Sequence, residues 1–231
     1  MLGNYKKELK KLRKGQIYYP NDLRLSAHEA RALAALGKID AVREVIEKSL
    51  LVISSSGTPG DVMLEAAWEL RAQGHMEAYK EIANQAVGWY QNRLRMKEAN
   101  VAMHSDLATA LYTAEKWDEA QVVFAELAED DPENIEYKGR IGLLAARKGE
   151  RDKALKISKE LENIDRPYLF GEHTYMCARI ASLLGEKEQA VVLLRDAFAQ
   201  GLKYGAYLHY EMDLEPIRNY KPFQELLKPK G

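Results

Sequence analysis

Between Leu107 and Pro132 the apolar positions follow a helical period twice over. Leu107, Ala108 and Leu111 stand at i, i+1 and i+4, which gathers them on one helix face. After Glu115 and Lys116, Trp117 opens a second periodic stretch in which Ala120 and Phe124 are four apart. Pro132 cannot continue a helix and closes it. The pattern predicts two short antiparallel helices joined by a tight turn. A small residue on each lets the backbones approach, and large residues fill the gaps beside them. So short a pair cannot bury both of its faces, and it needs neighbours.

The same pattern recurs on both sides. With the unit set as 101–134, the next spans 135–168, carrying Ile141, Gly142, Ala145, Gly149 and Ala154, and another spans 171–204, carrying Cys177, Ala178, Ala181, Gly185, Ala190 and Leu194. Upstream, 60–93 holds Ala66, Ala67, Leu70, Gly74, Ala83 and Ala86. The least regular unit, 23–56, keeps Ala30, Leu33, Gly37, Val42 and Ile46 but places Glu29 where a large apolar residue is expected. The predicted turns at 37, 74, 115, 149 and 185 are thus spaced by 37, 41, 34 and 36 residues. Unrelated helical bundles have no reason to keep such a period.

These positions resemble the tetratricopeptide (TPR) repeat, with Glu115 replacing the usual turn glycine. The resemblance implies an all-α, right-handed superhelical solenoid of antiparallel helix pairs with a C-terminal capping segment. It implies no enzyme activity and a concave groove, lined by the first helix of each unit, that binds another protein.

Both ends depart from the period. Residues 1–22 predict an amphipathic helix over 4–14, where Tyr5, Leu9 and Leu12 share a face beside six basic residues and the single acid Glu8. That charge could suit a membrane surface or a nucleic acid. The repeat frame instead makes 1–22 a half-repeat whose first helix is missing, so the chain is expected to be the C-terminal piece of a longer array. Residues 205–231 form the cap, in which Asp213 is suited to cap a turn through Ile217 and Pro222 to open a last helix with Phe223. The run DLEPIRNYKPFQELL resembles the close of repeat arrays attached to bacterial serine/threonine kinases and related bacterial signalling regulators. In the connections, Thr58-Pro59-Gly60-Asp61 predicts a capping box, and the aromatics of 162–171 are expected to pack over a seam.

Composition narrows the function further. Of 231 residues 46% are hydrophobic and 30% charged, as in ordinary soluble helical proteins, and a net charge of −1 disfavours a general nucleic-acid binder. No apolar run reaches the roughly 18 residues of a membrane span, so no membrane partner is expected. The lone Cys177 fits, without proving, a reducing cytoplasm. His173 and Cys177, four apart, would need two further ligands to hold a metal, and Cys177 falls on a packing position. No metal, cofactor or catalytic residue is therefore expected.

Matching the repeats to the family one by one, the resemblance implies a groove lined by Arg31, then Glu65, Trp68 and Arg71, then Ser105, Thr109 and Tyr112, then Arg140, Leu143 and Arg147, and finally Tyr175, Arg179 and Ser182. Arginines and aromatics together suit an extended, acidic peptide, because guanidinium groups grip carboxylates in pairs. The alternative, for each arginine, is a partner within its own chain. The asparagines and lysines of carboxylate clamps for chaperone tails are missing from the matching places. A second reading is a regulatory or self-association region of a longer signalling protein, dimerising through the basic half-repeat.

Overall fold

The computed structural model describes residues 4–96 and 101–228; residues 1–3 of the expected half-repeat and 229–231 of the expected cap lie outside that range. The chain falls into two compact units that divide between Lys116 and Trp117. The first contains α1 (Tyr5–Tyr18), α2 (Leu23–Ala35), α3 (Ile39–Leu50), α4 (Pro59–Ala72), α5 (Met76–Arg95) and α6 (Val101–Thr113). The second contains α7 (Trp117–Asp130), α8 (Ile135–Arg147), α9 (Arg151–Glu162), α10 (Glu172–Leu183), α11 (Lys187–Ala199) and α12 (Tyr207–Tyr210), then a short 3-10 helix (Met212–Ile217) and α13 (Lys221–Leu226). No strand occurs among the described residues. Among the described residues the fold is all-α and built from helix pairs joined by tight turns.

One backbone device makes each tight turn. Gly37, Gly74, Glu115, Gly149 and Gly185 all adopt positive φ, between 60° and 81°. The following amide reaches back across the turn to the carbonyl five residues earlier, as Lys38 does to Leu33, His75 to Leu70 and Lys116 to Leu111, at 2.9–3.0 Å. This is the left-handed helix ending in which otherwise unpaired carbonyls are satisfied. Glycine takes that conformation without steric cost. Glu115 takes it at φ 60° despite its side chain.

Packing follows the small residues. In the first unit α2 packs on α3 and α4, and α4 on α5, with Ala30, Ala66, Ala67, Ala83 and Ala86 fully buried at the approaches. Against α2 lies α1, as α3 lies against α4 and α5 against α6. In the second unit Gly142 of α8 stands where a Cβ would come within 2.7 Å of Ile180 and 2.9 Å of Ile157, so α8, α9 and α10 close up around it. From Thr174 to Ser182 every residue of α10 is buried. Large side chains such as Phe124, Tyr79 and Leu70 complete the two cores, each worth about 1.5–3 kcal/mol when fully buried.

The connections behave in different ways. Thr58 and Asp61 form the capping box with Pro59 in the first helical turn of α4. Gly60 beside them lacks the Cβ that would strike the Tyr90 ring at 2.3 Å. Tyr168 and Phe170, expected over a seam, are instead exposed and face each other at 6.2 Å between ring centroids. Asp213 does not cap its turn. Glu211 accepts the Asp213 amide at 3.3 Å, while the Asp213 carboxylate turns inward and is fully buried.

Candidate functional site

The first helices of the repeats, α2, α4 and α6 in one unit and α8 and α10 in the other, carry every residue expected in the groove. In the first unit Arg31 of α2 donates to Glu8 of α1 at 2.8 Å and lies 3.8 Å from Glu65 of α4. Glu65 is half-buried, and its Oε2 has no hydrogen-bond partner. Burial raises its pKa above the usual carboxylate value, partly offset by Arg31. Glu69, one turn further along α4, is buried and accepts from Gln73 at 2.8 Å.

Along α4, Trp68 donates its indole N–H to the Thr113 hydroxyl at 3.0 Å. Arg71 reaches the Tyr79 hydroxyl at 2.9 Å and the Glu115 carboxylate, and its guanidinium stacks 5.0 Å from the centre of the Tyr79 ring. Tyr79 in turn donates to the Thr113 carbonyl. Arg71 is therefore a brace beneath the Glu115 turn. On α6, Ser105 and Thr109 are half-buried, whereas Tyr112 is buried in the core.

In the second unit the expected face is filled by the chain's own tail. Asp213 receives two donors from each of two arginines. Arg147 binds Oδ1 at 2.6 and 3.2 Å, and Arg179 binds Oδ2 at 2.7 and 3.2 Å. Arg147 also donates to the Met212 carbonyl at 3.0 Å. Tyr175 donates to Glu211 at 3.3 Å and meets the Tyr207 ring edge-on at 5.7 Å. Burial raises the Tyr175 pKa well above its ordinary value. Leu143 and Ser182 are completely buried. Arg140 pairs with Glu136 at 3.4 Å across one helical turn and lies 5.9 Å from the centre of the Phe124 ring.

Each arginine expected to grip an acidic partner thus holds a carboxylate of its own chain. The structure brings Arg31 to Glu65 and Trp68 to Thr113 in the first unit, and sets Arg147, Tyr175 and Arg179 against the tail in the second. It adds Glu8, Glu115, Glu211 and Asp213, which the sequence reading did not place in the site. Two of these carried a signal: Glu115 stands where glycine is usual, and Asp213 is an acid set between apolar neighbours. The metal pair separates by environment. Burial pushes the Cys177 thiol up to about 11, where it donates to the Ser158 carbonyl at 3.3 Å, while His173 contacts the Thr174 hydroxyl.

No family model matches the sequence, and no curated protein matches it. Among solved structures the chain is similar to YrrB, described as a TPR protein with an unusual peptide-binding site, at 18% identity over 87% of this chain and 97% of that one, with a TM-score of 0.37. It is also similar to MamA, at 19% identity in the AMB-1 form over 76% of this chain and 96% of that one, with a TM-score of 0.36. The MSR-1 form of MamA gives 19%, 78% and 97%, with a TM-score of 0.35.

Proposed function

We propose that this chain is a non-enzymatic protein-interaction scaffold that holds an extended peptide against α2, α4 and α6. The observation that carries the reading is the second unit's tail. Its acidic-apolar run lies on Arg147, Tyr175 and Arg179, with a side-chain carboxylate and a backbone carbonyl both bound. A first-helix face of this protein is thus chemically equipped to hold an acidic-apolar segment. The corresponding residues of the first unit, Arg31, Glu65, Trp68, Ser105 and Thr109, are half-buried and keep accessible area.

The charge there differs from the acidic-peptide expectation. Glu8 and Glu65 outnumber Arg31 there. The complementary peptide supplies a donor, an amide or a basic side chain, rather than another carboxylate. The strongly shifted groups are tyrosines that serve the fold itself. Tyr90 is raised by burial while bonded to the capping box at Asp61, and Tyr175 is raised while bonded to the tail.

Selection of peptides from a display library on the full chain tests the reading. Selected peptides should carry lysine, arginine or glutamine. Thr109→Tyr should weaken them by at least about tenfold, as expected where a central contact is blocked, with helicity unchanged. Equal binding by that variant would remove the α6 face from the site.

A further inference from the structure

Large exposed hydrophobic side chains are not spread evenly over this molecule. Of the fifteen among the described residues, six gather at the C-terminal ends of α1 and α3: Ile17, Tyr18, Tyr19, Leu50, Leu51 and Ile53. Ile53 is 95%, Leu51 87% and Ile17 77% exposed. The two helix ends stand side by side. Tyr19 and Ile53 flank one surface cleft, and Arg13, Gln16, Lys48 and Val52 line another. Side chains this apolar and this prominent mark a contact surface.

The charge beside them is of one sign. Lys7, Lys11, Lys14 and Tyr18 follow one another at helical spacing along the exposed face of α1, with Lys10 and Ile17 alongside. Lys6, Lys7, Lys10, Lys11 and Lys14 form no ion pair among the described residues. The nearby acids are already matched: Glu8 by Arg31, Asp22 by Arg24 and Glu44 by Lys48. Among the described residues at this end, Glu47 is the exposed acid that makes no ion pair. The chain is close to neutral overall, so this strip is a local concentration of positive charge.

We propose that this end of the first unit docks on the surface of an anionic lipid bilayer. The lysines of α1 lie over the headgroups, and Ile17, Tyr18, Leu51 and Ile53 enter the interface. Tyrosine suits that boundary because its ring is apolar and its hydroxyl is wet, and lysine because its long stem is apolar beneath a charged tip. Peripheral docking of this kind needs no spanning helix, and none of the described helices is long and apolar enough to span. A second copy of the chain is the rival occupant: its exposed acidic corner at Asp131 and Glu133 lines one cleft with the exposed Tyr168, and the test below separates it from a lipid surface.

The test is co-sedimentation of the full chain with phosphatidylcholine vesicles and with vesicles carrying about 30% phosphatidylserine. Each lysine near an anionic surface contributes about a fivefold gain in partitioning. Binding should therefore be at least about tenfold stronger to the anionic vesicles, and it should collapse in about 0.5 M salt. Reversing Lys7, Lys10, Lys11 and Lys14 to glutamate should abolish it. A second variant, Ile17→Ser with Leu51→Ser and Ile53→Ser, keeps the charge and changes only exposed positions; it should weaken binding severalfold with unaltered circular dichroism. No binding, equal binding to neutral vesicles, or a serine variant that binds like the parent would overturn the proposal. A concentration-dependent dimer abolished by the serine variant would assign the patch to a second copy and overturn it as well.

Discussion

At Glu115 two effects of similar size oppose each other. A non-glycine residue at positive φ costs about 1–2 kcal/mol, and the Arg71 contact beneath the turn returns a comparable amount. Glu115→Gly should consequently be close to neutral, whereas Glu115→Ala keeps the backbone cost and loses the contact, lowering stability by about 1–2 kcal/mol. Urea denaturation distinguishes them, and equal loss in both variants would show that the Arg71 contact alone matters. Glu65 makes a pH-dependent prediction. Its folded pKa is raised, so relative to the unfolded chain its contribution is most favourable at low pH and is lost as pH rises through the folded pKa. Glu65→Gln should therefore raise the melting temperature at pH 7, with the gain shrinking toward pH 4. A gain independent of pH would sink this account.

The 3-10 helix is the element on which the second unit most depends. Asp213 is completely buried between Arg147 and Arg179, so removing its carboxylate takes the nearest counter-charge from both guanidinium groups, with Glu211 still 3.4 Å from Arg179. Breaking a buried pair from one side costs about 3–5 kcal/mol, and Asp213→Ala should lose that much in chemical denaturation. A loss below about 1 kcal/mol would mean that Arg147 and Arg179 are satisfied by water when the acid is gone. The turn signal in the sequence located this element, but not the direction of its acid. A lone Asp before an apolar residue is suited equally to capping and to burial, and two arginines far away in sequence decide between them.

For the chain as a whole, the tail closes what the repeats leave open. Leu208, Met212, Leu214, Ile217 and Phe223 are all buried, and a chain ended at Leu202 would lack every one. Such a chain should melt at lower temperature and bind a hydrophobic dye. An unchanged melt would show that the last helices close on themselves. What the sequence by itself determined is the helical architecture, because 3.6-residue periodicity, small residues at close approaches and glycine at left-handed turns are local rules repeated along the chain. The resemblance to the repeat family also pointed to residues on the first helices, where the structure places them. Only the tertiary structure decided what those residues do. Whether Arg31 meets Glu8, whether Arg179 meets Asp213, and whether Tyr19 lines a cleft with Ile53 all depend on segments distant in sequence. A charge or an exposed apolar side chain acquires its role from what faces it, and that is a property of packing rather than of period.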